Sequence, residues 1–122
     1  MAVYKQHLDL AGERFRAAER HFEDEEFHTA AHLFINAVIN YHNAVCQKFL
    51  KTIPGHKMHS DTSYFRELSK ALGQDSPKYK DAYEFLIANK SEADYGTGLS
   101  LNTAKQIQRR AAIFKGIAER YL

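Results

Sequence analysis

A chain of 122 residues, of which 44% are apolar and 26% are charged, is long enough to bury one sizeable core without disulfides or a structural metal. We therefore predict a single domain over residues 1–122. The formal net charge of +2 is too small to predict a polyanionic partner from global electrostatics alone.

The first predicted helix covers residues 2–23. Apolar side chains recur in it at steps of three and four residues, which makes a seam that packs along a neighbouring helix at a shallow angle. This seam consists of Tyr4, Leu8, Ala11, Phe15, Ala18 and Phe22. The acidic cluster at residues 23–26 suits a helix N-terminus, so we interpret it as the turn into the second helix.

The second predicted helix, residues 26–52, is the central element of the fold. No Asp, Glu, Lys or Arg occurs between Glu26 and Lys48. Apolar side chains cover roughly two thirds of its circumference, which is typical of a helix contacted on several sides. The remaining strip carries uncharged hydrogen-bonding groups, namely Thr29, His32, Asn36, Asn40, Asn43 and Gln47. Pro54 and Gly55 then predict a turn.

Three further helices follow. A short third helix has a cap at Ser60, Asp61 or Thr62 and an inward face of Phe65, Leu68, Ala71 and Leu72. Gly73 suits the left-handed position just past its end. Ser76 is the predicted cap of helix four, Pro77 lies in its first turn, and Gly96 and Gly98 end it. Helix five has a cap at Ser100 or Asn102 and a buried stripe of Ala104, Ile107, Ala111, Phe114, Ala118 and Tyr121.

Five helices without a strand or an internal repeat predict an all-α fold. The simplest arrangement is an antiparallel up-and-down bundle of four long helices plus one short helix. The single cysteine cannot form an internal disulfide, and no secretory signal pattern is present. The uncharged run at residues 27–47 contains too many Asn and His residues for a membrane span. We therefore expect a cytoplasmic protein without a membrane partner.

The most informative departure from the helical pattern is Lys90. Its angular position lies within the apolar stripe of helix four, and Asp94 follows one turn later on the same face. In one interpretation the lysine stem packs and the ammonium group reaches water or Asp94. In the other, the cation lies in a groove that receives a phosphate or a nucleic-acid backbone. We predict a binding cleft in which the polar strip of helix two meets helix four, with the residues Lys90, Asp94, Tyr95, Lys48, Asn36 and Asn40.

The segment from Asn89 to Gly96 resembles the arginine-x-x-alanine-Asp-Tyr-Gly segment that precedes the last helix of the HEPN domain, the "higher eukaryotes and prokaryotes nucleotide-binding" helical bundle. The resemblance covers nearly the whole chain. Its other positions are Asn36, Ala37, Tyr41 and Ala44 in helix two, His59 before helix three, and Ala111, Phe114 and Tyr121 in the closing helix.

The resemblance implies a bundle that dimerises and is often encoded beside a small nucleotidyltransferase in toxin–antitoxin or defence systems. Many members are metal-independent ribonucleases with an Arg followed after four to six residues by a His. This chain departs from that motif, because Lys90 replaces the Arg, Tyr95 lies five positions on, and no histidine follows His59. A tyrosine hydroxyl is a poor proton shuttle at neutral pH.

Three functions therefore stay open. The first is a non-catalytic homodimer that binds a nucleotide, an RNA or a partner protein in the predicted cleft. The second is a divergent metal-independent ribonuclease, and the third is a structural interaction module. No cofactor is predicted. A metal site is disfavoured, since the pairs His28 with His32 and His56 with His59 lack the carboxylates of a helical-bundle metal motif.

Overall fold

A computed structural model of the chain describes residues 4–50, 65–96 and 98–122. The described residues contain helices and no strand, which confirms the all-α prediction. The helices are α1 (Tyr4–Glu23), α2 (Phe27–Leu50), α3 (Phe65–Leu72), α4 (Ser76–Ala88), α5 (Lys90–Tyr95) and α6 (Leu101–Tyr121), and a 3₁₀ turn at Gly73–Asp75 joins α3 to α4. The predicted caps of the third helix and the His56 and His59 pair lie outside the described residues.

Helix α2 is the central element, as its composition predicts. It contacts α1, α3, α4, α5 and α6, and most of its side chains between Ala30 and Cys46 are buried. The seam of α1 packs along it through Ala11, Phe15 and Ala18. The Phe15 ring meets the ring of Phe34 edge to face, with centroids 5.2 Å apart. Such a pair adds a directional contact to the burial of two large apolar side chains.

The long helices alternate in direction, so that α2 and α6 run the same way. The side chain of Lys48, near the C-terminus of α2, donates a hydrogen bond of 2.6 Å to the backbone oxygen of Tyr121 at the end of α6. Helix α4 packs on α6, and α1 packs chiefly on α2. A groove therefore remains between α1 and α6, with Tyr41 of α2 at its floor. No described helix combines the length and apolarity that crossing a membrane requires.

Two of the predicted helix ends are confirmed and one is wrong. Gly73 has a φ of 56°, the left-handed conformation predicted for it. Ser100 caps α6, because its side chain accepts a hydrogen bond of 3.0 Å from the backbone N–H of Thr103. Helix α4 begins one residue earlier than predicted, so Ser76 is its first residue and Asp75 precedes it. Asp75 has helical angles because the 3₁₀ turn runs directly into α4, and its side chain makes no cap hydrogen bond.

A cluster of aromatic rings fills the core between α2, α3, α4 and α6. His42 of α2 is fully buried in it, and its Nδ1 is joined to the Tyr79 hydroxyl by a hydrogen bond of 2.6 Å. The imidazole ring lies 4.1 Å from the ring of Tyr83 and 5.3 Å from that of Phe65. A buried imidazole needs such a polar partner, and here the partner comes from another helix.

Candidate functional site

The candidate site begins at a bend in the helix predicted over residues 76–95. The bend is at Asn89, whose φ and ψ of −97° and 0° end α4. Its backbone N–H donates to the oxygen of Leu86, and its side-chain amide donates to the oxygen of Phe85 at 2.9 Å. Side-chain bonds of this kind compete with the regular helical ladder. Helix α5 begins at Lys90 and packs against α2, with Ala93 buried and Asp94 in contact with His32 of α2.

Asp94 is the centre of the site because its carboxylate bridges two helices. One carboxylate oxygen accepts a hydrogen bond from Lys90 Nζ, within α5. The other lies 2.5 Å from His32 Nδ1, on α2. The side chain of Asp94 is only 7% exposed, whereas those of Lys90 and His32 are 33% and 47% exposed. We call these three residues the bridged triad.

The charge state of Asp94 follows from its partners. Burial raises the pKa of Asp94, but the hydrogen bonds from Lys90 and His32 outweigh burial and hold the pKa below its ordinary value. The carboxylate is therefore ionised at neutral pH and only accepts hydrogen bonds, so Nδ1 of His32 carries a proton. In the neutral imidazole this leaves Nε2 of His32 as an acceptor, on a side chain that is nearly half exposed.

A shallow cavity of about 310 Å³ lies beside the triad. It is lined by His28, Thr29, His32, Ala93 and Asp94. Nε2 of His28 is buried and has no hydrogen-bond partner among the described residues. Leaving a buried polar atom unpaired costs about 1–3 kcal/mol, and the residue that carries this nitrogen lines the cavity.

The predicted cleft residues divide into two sets. The structure brings Lys90 and Asp94 together with His32, and the side chain of Asn36 donates to the backbone oxygen of His32 at 2.8 Å. Tyr95 adjoins them in the chain, but the residue is 84% exposed, and in the described part of the chain no hydrogen bond joins its side chain to the triad.

Lys48 and Asn40, the other two predicted cleft residues, lie apart from the bridged triad. Lys48 donates to Tyr121 and lies over the ring of Tyr4, and it is about 24 Å from His32 along the axis of α2. Asn40 is buried and accepts a hydrogen bond of 2.7 Å from Arg14 of α1. The polar strip of α2 stays on one face of the helix, but the neighbour changes along its length, from α5 at His32 to α1 at Asn40.

His32 is the site residue whose role the sequence did not indicate. Its spacing from His28 suggested a metal pair, but its actual partner, Asp94, is 62 residues away in the chain. Among the residues that the structure describes, no group of three or more His, Cys, Asp and Glu side chains has the arrangement of a metal site. The sequence carried one signal for such a partner, the place of Asp94 on the apolar side of its helix one turn after Lys90. A buried carboxylate needs hydrogen-bond donors, so a second donor besides Lys90 was to be expected.

Comparisons with protein-family models, with curated proteins and with solved structures gave no match to this chain.

Proposed function

We propose that this chain is a HEPN-like helical module that binds the phosphate group of a nucleotide or an RNA at the bridged triad. The observation that carries the proposal is the cavity beside Asp94, whose carboxylate holds a lysine and a histidine in place. His28 also lines this cavity, and its buried Nε2 has no hydrogen-bond partner among the described residues. The proposal also includes a homodimer that pairs with a nucleotidyltransferase, as the resemblance to HEPN domains implies, and a location in the cytoplasm.

Phosphate binding needs hydrogen-bond donors that are held in place before the ligand arrives. Lys90 has three N–H donors and uses one of them on Asp94, so two remain for phosphate oxygens. Protonation of His32 at Nε2 adds a further donor on a ring that Asp94 orients. The carboxylate itself repels a phosphate, but it is only 7% exposed and its two oxygens are already hydrogen-bonded to Lys90 and His32.

The test is a binding titration of the folded protein. Binding of AMP is measured by calorimetry, and binding of a labelled RNA oligonucleotide is measured by fluorescence anisotropy. Losing a hydrogen bond to a charged group costs about 1.5–3 kcal/mol, so we expect Lys90→Ala to weaken binding about tenfold or more. The matched control is Lys115→Ala. Lys115 is also 33% exposed and pairs with an acid one turn later, Glu119 at 2.9 Å.

The control distinguishes a specific site from general charge attraction. If Lys115→Ala weakens binding as much as Lys90→Ala, the ligand responds only to net charge and the proposed site is refuted. Absence of saturable binding to either probe also refutes it. Size-exclusion chromatography with light scattering measures the proposed dimer separately.

A second function, metal-independent cleavage of RNA, is favoured by the contact between His32 and Asp94. A carboxylate on Nδ1 leaves Nε2 of the imidazole as a general base. In this reaction Nε2 takes the proton of a ribose 2′-hydroxyl, and the 2′-oxygen attacks the neighbouring phosphorus. The bond from phosphorus to the 5′-oxygen breaks as that oxygen takes a proton from water, and the imidazolium returns its proton to the solvent. The products are a cyclic phosphate and a free 5′-hydroxyl.

RNA cleavage in the presence of EDTA tests this second function. We expect His32→Ala to abolish cleavage and His21→Ala to retain it. His21 is a matched control because its Nδ1 also lies 2.8 Å from a carboxylate, that of Glu26, on an exposed surface. Cleavage that survives in His32→Ala comes from another site or from a contaminating nuclease.

A further inference from the structure

The groove between α1 and α6 has the character of a binding site that is separate from the bridged triad. Its volume is about 690 Å³, and it shares no lining residue with the cavity beside Asp94. Four carboxylates line it against two cations, which gives the walls a formal charge of −2. The four acids are Asp9, Glu13, Glu19 and Glu119, and the two cations are Arg16 and Lys115.

One of the two cations is already engaged. Lys115 pairs with Glu119 at 2.9 Å, and its Nζ lies 5.4 Å from the centroid of the Phe15 ring. The other three carboxylates have no ion-pair partner among the described side chains, namely those of Asp9, Glu13 and Glu19. They are all on α1 and line the groove, and together with Arg16 they leave it a formal charge of −2 when the Lys115–Glu119 pair is set aside, so the groove attracts cations.

The hydroxyl of Tyr41 at the floor of the groove is a second, independent feature. Tyr41 is only 1% exposed, and its ring is held edge to face against Phe15 at 6.4 Å. No group in the described ranges makes a hydrogen bond to its hydroxyl. Burial, and after it the negative charge of Glu119, raises the pKa of Tyr41 to about 12, so the phenol stays neutral. A neutral phenol oxygen accepts a hydrogen bond from an N–H donor.

We propose that this groove binds a linear aliphatic polyamine. Its ammonium groups pair with Glu19, Glu13 and Asp9, one of its N–H groups donates to the Tyr41 hydroxyl, and its methylene chain lies along the Phe15 edge of the groove. From Asp9 to Glu19 the helix rises by about 15 Å, which gives room for an extended triamine. Anionic ligands, including those proposed for the bridged triad, are repelled by the same carboxylates.

The experiment is a calorimetric titration of the whole chain, freed of nucleic acid, with spermidine at low salt and at about 0.15 M salt, where exposed charges are largely screened beyond 8 Å. We expect saturable binding with one site per chain. Glu19→Gln should weaken it about tenfold, because the negative charge that strengthens the hydrogen bond from the ammonium group is removed. Glu23→Gln is the matched control, since Glu23 is an exposed acid one turn further along α1 that does not line the groove.

Tyr41→Phe tests the hydroxyl separately. We expect about fivefold weaker spermidine binding, as for the loss of one neutral hydrogen bond, and no fall in the melting temperature of the free protein.

Equal weakening by Glu19→Gln and Glu23→Gln would overturn the proposal, as would the absence of saturable binding. A dimer in solution that Glu19→Gln dissociates would also overturn it, because the groove would then be covered by a second copy. Lys90→Ala should leave spermidine binding unchanged, because Lys90 does not line the groove. The proposal for the groove and the proposal for the bridged triad are therefore tested independently.

Discussion

Replacing Asp94 with asparagine tests whether the bridged triad holds α5 against α2. The substitution keeps the size of the side chain but removes the charge that both partners share. Hydrogen bonds from Lys90 Nζ and His32 Nδ1 to the two carboxylate oxygens are weakened together. The side chain of Asp94 is only 7% exposed, so the asparagine amide is buried as well. Its NH₂ group takes the place of a carboxylate oxygen that accepts a hydrogen bond in the wild type, and a donor there meets another donor.

The expected loss of stability follows from the exposure of the three side chains. A hydrogen bond to a charged group contributes about 1.5–3 kcal/mol. Lys90 and His32 are 33% and 47% exposed, so water solvates both again in the variant and reduces the loss. We expect the free energy of unfolding to fall by about 2 kcal/mol at pH 7. For a domain of this size that corresponds to a melting temperature lower by about 6–10 °C.

The pH dependence gives the same prediction a second test. The pKa of Asp94 is lower in the folded protein than in the unfolded chain. Its carboxylate therefore stabilises the fold above the unfolded pKa of about 3.9, and this contribution is lost as the pH falls through the lower, folded pKa. Urea unfolding of the wild type and of Asp94→Asn should thus differ at pH 7 and converge as the pH is lowered towards about 2.

The control is Glu119→Gln, which breaks the pair of Lys115 with Glu119 on the surface of α6. An exposed pair of this kind contributes about 0.3–0.5 kcal/mol, so the control should be almost neutral. If Asp94→Asn unfolds at the same urea concentration as the wild type at pH 7, the carboxylate does not join the helices. A difference that persists undiminished in acid would show that it arises from packing and not from ionisation.

Three further measurements check other parts of the structure. Tyr79→Phe removes a buried hydroxyl bonded to the histidine of α2 and should cost about 1–2 kcal/mol in urea unfolding, whereas Tyr41→Phe should cost about nothing. Gly73→Ala should destabilise by about 1 kcal/mol because of the left-handed φ, whereas Gly116→Ala should stabilise by about 0.5–1 kcal/mol, since its Cβ meets no atom within 4 Å. Burial raises the pKa of the Cys46 thiol to about 12, so a thiol reagent at pH 8 should modify it only at the rate of unfolding.

Much of the fold could be predicted from the sequence because local rules decide it. The period of the apolar residues indicates which face of each helix is buried, as in the seam of α1 and the stripe of α6. Gly73 and Ser100 mark helix ends because their chemistry acts within three residues of the chain. The same rules placed the cap of α4 one residue late, at Ser76, since they do not anticipate a 3₁₀ turn that continues into a helix.

The predicted cleft shows where local rules end. The pairing of Lys90 with Asp94 is an i, i+4 contact and was predicted from spacing alone. Asn40 was included because of its place on the polar strip of α2, and Lys48 as a cation on the mostly apolar side of that helix, but a position on one helix does not specify which helix faces each turn. Neighbouring helices distribute those side chains to Tyr121 and to Arg14.

The charge-free stretch at residues 27–47 by itself determined that α2 is the centre of an all-α bundle, because only burial on several sides accommodates so much apolar surface. Tertiary structure alone decided which residues of the other helices the side chains of α2 meet at the candidate sites. The bend at Asn89 aims Asp94 at His32, and the separation of α1 from α6 leaves Tyr41 at the floor of an acidic groove. Both arrangements join residues that are distant in the chain, and the contacts that select them exist only once the helices have packed.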